Sequence, residues 1–194
     1  MCARRLERRP GAAVITWLSN STVSRLRDQL RTRGQRPSVV IPGGLSPDAM
    51  ETLALVTEFG PLCEAMYLMM SADGTVSSEE REVLKGALRN LSEDRLRTVH
   101  IESMLDAASK KVGEHGRETR MREIIEALHE DRARAEVAFV LAAAIAFADN
   151  AIADEENEML NDLAEGLGID EGRANELLDD VEKDLGGQGA AKQE

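Results

Sequence analysis

Two short acidic segments, Asp73 to Glu80 and Asp149 to Glu156, hold the residues of this sequence whose types and spacing could do chemistry together. At a shift of 76 residues, Ala72-Asp73-Gly74-Thr75-Val76-Ser77-Ser78-Glu79-Glu80 lies over Ala148-Asp149-Asn150-Ala151-Ile152-Ala153-Asp154-Glu155-Glu156. The alanine, the aspartate and both glutamates are identical, and the match runs on through Glu82 over Glu158, Leu84 over Leu160 and Leu91 over Leu167. Self-similarity at a fixed interval marks a repeated structural unit. If the two units pack as a pseudo-twofold pair, Asp73, Glu79, Glu80, Asp149, Glu155 and Glu156 converge. Converging carboxylates repel unless a proton or a cation neutralises them. Oxygen-only donors suit a hard divalent ion, Ca²⁺ first and Mg²⁺ or Mn²⁺ next.

Ordinary turn chemistry explains part of this pattern. Gly74 and Asn150 tolerate the left-handed conformation that ends a helix. Val76 and Ile152 are expected to turn one side chain back toward a core. Ser77 and Glu80 have capping-box spacing for the helix that follows. Ala153 stands at the Ser77 position in the second segment, so capping there falls to another residue, Asp154 being the candidate. Glutamate pairs in a first helical turn also favour the helix dipole. Asp73 and Asp149 fit less easily. Each follows an apolar helix, where an acid meets the negative end of the dipole at a cost of a few tenths to ~1 kcal/mol. That both copies keep the aspartate favours the ion over capping alone.

An EF-hand loop accounts for neither segment. With Glu80 as the last ligand, the first and third ligand positions would be Met69 and Ser71, and in the second copy Ile145 and Phe147. Met69, Ile145 and Phe147 cannot ligate calcium. Each copy is therefore at most a half-site, and any ion is held between the two.

Other chemistries lack their residues. His100, His115 and His129 have no metal-ligand spacing and read as surface or helix-end residues. The sequence holds no Walker-type phosphate loop, no dinucleotide fingerprint and no nucleophile elbow. Metal-assisted hydrolysis by the carboxylates would ordinarily bring histidine ligands or a substrate pocket signature. The expectation is a protein that is not an enzyme and has no organic cofactor.

The elements that must position these acids are helices. Hydrophobic residues make up 42% of the 194 residues and aromatics only 3%, so the core must be aliphatic and Ala, Leu, Glu and Arg dominate. Ser46-Pro47 opens a first helix to Glu58, with Ser46 as N-cap and Pro47 at the first helical position. Gly60-Pro61 is expected to interrupt it. An apolar, central helix should follow over about 61–72, then an amphipathic one over 78–91. Ser92 is expected to cap a helix to about Lys111. Further helices are expected over 117–130, 132–148, 154–167 and 170–185. Ser38–Ile41 is too weak to count as a strand.

The expected organisation is a basic extension with a Pro/Gly linker over 1–45, helical over part of 12–33, then the helical domain over 46–185 and a disordered tail over 186–194. Charge divides the same way. Residues 1–36 hold nine arginines against Glu7 and Asp28, a balance of +7, which leaves −19 on the rest of a chain whose formal net charge is −12. The acidic body would repel phosphates, which excludes a nucleic-acid-binding core. The Arg-rich head could meet an anionic membrane or an acidic partner, or fold back on its own body. Cys63 sits in an apolar run and reads as a small buried hydrophobe; with Cys2 it makes neither a disulfide framework nor a zinc site. No stretch reaches the ~20 apolar residues of a membrane span. Arg4 to Leu18 lacks a convincing signal-peptide cleavage site, so the expected location is the cytoplasm, including its face of the membrane.

At the two acidic segments the chain resembles the TerB-like family, over about residues 55–183. That family shows an apolar helix followed by an Ala-Asp-Gly-x-hydrophobic-x-x-x-Glu segment, twice. The resemblance implies an all-α bundle of about seven or eight helices and an acidic cluster binding divalent cations. Carried over by position, the cluster is Asp73, Glu80, Asp149 and Glu156, with Glu79 and Glu155 beside them. The resemblance also implies a link to tellurite resistance, the stress response or a membrane-associated assembly. Asn150 departs from the second glycine of the motif, and residues 1–45 have no counterpart. The alternative is a metal-free helical interaction scaffold whose acidic face binds a protein partner.

Overall fold

The computed structural model describes residues 22–32, 44, 46–72, 74, 76, 78–147 and 154–186. Residues 12–21 and 33 of the head helix expected over 12–33, the segment Ser38–Ile41 and the tail beyond residue 186 lie outside the described residues. Within them the chain is all-α. The helices are α1 (Thr22–Thr32), α2 (Pro47–Met70), α3 (Ser78–Leu91), α4 (Thr98–His115), α5 (Arg117–Leu128), α6 (Arg132–Ala146), α7 (Asp154–Gly166) and α8 (Glu171–Gly186).

Two of these form the centre. α2 packs on α3, α4, α5, α6 and α7, and its contact with α6 is the most extensive in the molecule. α6 in turn meets α1, α3, α5, α7 and α8. Their sequences explain the position. Leu62 to Met70 is buried without a break, as is Ala135 to Ala146, so neither helix has a wet face there. The small alanines of α6 let its neighbours approach, while Phe59 and Phe139 fill the core as its largest buried side chains. Leu84, Leu88, Leu105, Leu128 and Val181 close it from the surrounding helices. Each such side chain stabilises the fold by roughly 1.5–3 kcal/mol relative to exposure.

Local signals set most helix ends. Ser46 Oγ accepts from the Ala49 amide at 3.3 Å, with Pro47 at the first helical position. Asp131 Oδ1 accepts from Ala133 and Arg134 at the start of α6, and Asp170 Oδ1 accepts from Arg173 at the start of α8. Gly116 turns the chain between α4 and α5 with φ +81, a conformation that an L side chain strains.

Two expectations at helix ends are corrected. Gly60-Pro61 does not interrupt the first helix: α2 runs through both for 24 residues. Pro61 cannot donate to the carbonyl of Thr57 and crowds it, but the helix is held on both sides of the defect by buried packing, Phe59 before it and Leu62 after it. The next carbonyl, Glu58 O, accepts from Arg134 Nη2 of α6 at 2.7 Å. The join makes α2 long and apolar enough to cross a membrane by length and composition, which the sequence reading did not expect. In the bundle most of that apolar stretch is buried against other helices. Ser92 does not open a helix either. It is fully buried; its hydroxyl donates to Arg89 O and accepts from the Leu96 amide, closing a turn in which Glu93 and Asp94 both take left-handed backbone, φ 55 and 59. α4 begins only at Thr98 and passes through Gly113 to His115.

α1 lies against α3, α6 and α8, with Leu26 only 1% exposed and Leu30 packed at the edge of the core. Arg25 pairs with Asp180 of α8 at 2.5 Å, and Arg31 with Glu93. Cys63 is a free, buried thiol whose pKa burial pushes up to about 12, as expected of a small apolar filler.

Candidate functional site: two acidic turns and the arginines behind them

The first acidic turn leaves the end of α2. The helix tightens as it ends: Ser71 N donates to Tyr67 O, Ala72 N to Met69 O and Gly74 N to Ser71 O. Gly74 has φ +85, the left-handed region expected of it. α3 then begins at Ser78. The second turn leaves α6 at Phe147, whose amide donates to Ala143 O and Ile145 O, and α7 begins at Asp154.

The six candidate ligands fall into three groups. Glu80 and Glu156, the second of the two glutamates that coincide across the repeat, are both buried, 5% and 6% exposed, in the first turns of α3 and α7. Glu155 is exposed. Asp73, Asp149 and the side chain of Glu79 lie outside the described residues, as do Ser77, Ile152 and Asn150. Among the described residues no three His, Cys, Asp or Glu side chains gather closely enough to hold a metal ion. Val76 does not turn back toward the core: it is 38% exposed. It precedes the first turn of α3, and the core is closed at this end by Ala72, Val83 and Leu84.

An arginine that sequence spacing does not reveal stands behind the first turn. Arg117, the first residue of α5, donates through Nη1 to Ala72 O at 2.8 Å and through Nη2 to Ser71 O at 2.5 Å. Its fork thus occupies the carbonyls of the two residues that follow α2, immediately before Asp73 in the sequence. A cation at a helix C-terminus is stabilising, typically by 0.3–1 kcal/mol. It offsets part of the penalty that an aspartate at that end incurs.

Each central helix also buries a glutamate against an arginine from a later helix. Glu64 of α2 accepts from Arg120 Nε of α5 at 2.5 Å and from Lys111 Nζ of α4 at 3.1 Å. Arg120 also reaches Glu123. Glu136 of α6 accepts from Arg173 of α8 at 2.8 and 3.2 Å, from Arg132 at 3.2 Å and from Gln29 of α1 at 3.3 Å. The Arg173 hydrogen bonds hold the Glu136 carboxyl below the usual carboxylate range, against the opposing effect of burial. These pairs lock helices together. The histidines sit where expected: His115 ends α4, His129 caps α5, and His100 Nδ1 accepts from the Arg97 amide at 3.3 Å.

No curated protein and no solved structure matches the chain. A family model does: the one described as tellurite resistance protein TerB matches residues 62–178. The matched span starts in the apolar half of α2 and ends in α8, so it takes in both acidic turns, Arg117, and the Glu64–Arg120 and Glu136–Arg173 pairs. With more than half of its length so matched, this all-α chain belongs to the TerB family.

Proposed function

We propose that this protein is a non-enzymatic TerB domain that binds one divalent cation, Ca²⁺ or another hard ion such as Mg²⁺ or Mn²⁺, between its two acidic turns. Asp73, Glu80, Asp149 and Glu156 would hold it, with Glu79 and Glu155 at the edge. The observation that carries this reading is the repeat itself: the same acidic segment, with its aspartate and both glutamates, follows each central apolar helix, and the family model spans both copies. Converging carboxylates call for a counter-charge, and carboxylate oxygens are the donors a hard cation prefers. The bound ion would supply the charge that lets the acids stand together. The family description supports a role in tellurite resistance; the proposal extends this to a wider stress response, in the cytoplasm or at its face of the membrane.

Calorimetric titration of the full chain with Ca²⁺ tests the proposal. The wild type should bind at sub-millimolar ion, and the Asp73→Asn/Asp149→Asn variant should not. Absence of binding to the wild type, or binding that the double substitution leaves unchanged, overturns it.

One observation favours the metal-free scaffold as a second reading. Arg117 already places a cation at the end of α2, so the first turn has a counter-charge of its own. In that reading the acidic surface meets a basic protein partner, and neutralising its exposed acids would abolish capture at low salt.

A further inference from the structure

α1 lies outside the span matched by the family model, yet it is seated on the matched body. How it is seated describes the groove beneath it. The groove is formed where α3, α6 and α8 meet. Leu26 enters it and is fully buried, and Leu30, one helical turn on, packs at its edge. Acids stand around the two leucines: Asp180 of α8 takes Arg25, Glu93 after α3 takes Arg31, and Glu136 of α6 accepts from Gln29. The surface is an apolar slot rimmed by carboxylates, complementary to a helix with leucines four residues apart and arginines beside them.

We propose that this groove is a docking site for a basic amphipathic helix of a partner protein, and that α1 is its occupant in cis. The bond between α1 and the body has the character of a replaceable one. The Arg25–Asp180 pair is solvent-accessible on both sides, 47% and 34% exposed, and such pairs are weak and screened by salt. The fit is also imperfect: Arg27 Nε is buried without a hydrogen-bond acceptor, 3.9 Å from Glu93. Residues 33–45, which include Pro37, Pro42, Gly43 and Gly44, join α1 to Ser46, so α1 and the body remain covalently linked when α1 leaves. A partner helix would then compete with a tethered copy of its own chemistry, and its apparent affinity would fall with the fraction of vacant groove. The proposal does not depend on an ion at the acidic turns.

The probe is a fluorescent peptide with the sequence of residues 20–34. It is titrated into the full wild-type chain and into the full chain carrying Leu26→Asp, Arg25→Glu and Arg31→Glu. The substituted chain should bind the peptide about tenfold more tightly than the wild type, or better. The same peptide carrying Leu26→Asp should not bind. Equal affinity for the two chains, or equal affinity for the two peptides, overturns the proposal. Hydrogen exchange of the unmodified chain tests it independently of how the variant folds. The α1 amides should exchange faster than those of α2 and α6, and faster still as salt is raised. Protection of α1 equal to that of α6 at every salt concentration would mean that the groove is never vacated, and would also overturn it.

Discussion

The two halves of the repeat, α2 to α3 and α6 to α7, end their apolar helices in different ways. In the first half an outside arginine, Arg117, takes the carbonyls of Ser71 and Ala72 just past the end of α2. In the second, α6 closes through its own backbone at Phe147. The buried glutamates of the central helices differ too. A shift of 76 residues sets Glu64 against Val140 and Glu136 against Gly60, so neither ion pair belongs to the repeat. The halves share the burial of Glu80 and Glu156, together with that of apolar positions such as Leu84 and Leu160 or Leu91 and Leu167. Support around the turns has therefore diverged while one acid of each turn has kept its place.

The comparison breaks most visibly at the buried pairs. Arg120→Ala leaves Glu64, 7% exposed at its side chain, with only the half-exposed Lys111 as partner. Removing one member of a buried pair is strongly destabilising, and a loss of about 3 kcal/mol is expected in urea unfolding followed by circular dichroism. Replacing Glu64 and Arg120 together by Gln and Met should recover much of it. Arg173→Ala should cost less, about 2 kcal/mol, because Glu136 keeps Arg132 and Gln29.

The pH dependence of the Arg173 variant sharpens the contrast. The folded pKa of Glu136 is lowered, first by hydrogen bonds from Arg173. Its contribution is thus present above the unfolded glutamate value of about 4.3 and is lost as pH falls from there through the lower folded value. Stability measured across that window should fall less steeply for Arg173→Ala than for the wild type. An unchanged slope would remove Glu136 from the acid response. The smallest effect is expected at Arg117→Met, about 1 kcal/mol, for a partly exposed cation on two carbonyls. A loss as large as that of Arg120→Ala would show that the first turn depends on its arginine far more than the geometry implies.

The helices and their caps were legible because they are written in nearby residues. Ser46-Pro47 marked the start of α2, Gly74 the left-handed exit, and the unbroken apolar runs the two central helices. Local rules failed where tertiary contacts outweigh them. Gly60-Pro61 reads as a stop, but packing by Phe59 and Leu62 and the Arg134 hydrogen bond to Glu58 O carry the helix through. Val76 reads as core-facing by its type, yet stands exposed. The partners of Glu64 and Glu136 lie 56 and 37 residues away, and no spacing rule links an acid to an arginine at such distances. The charge contrast between head and body did suggest that the head could fold back, and α1 does so over residues 22–32. Of the candidate site, the repeat identified the acids, and the buried state of Glu80 and Glu156 emerged only in three dimensions.

The central claim is that each turn is half of one site, and the stoichiometry of Ca²⁺ binding to the full chain tests it most directly. Calorimetry should return one ion per chain for the wild type and none for either single variant, Asp73→Asn or Asp149→Asn. Two ions per chain, or a single variant that still binds like the wild type, would contradict it.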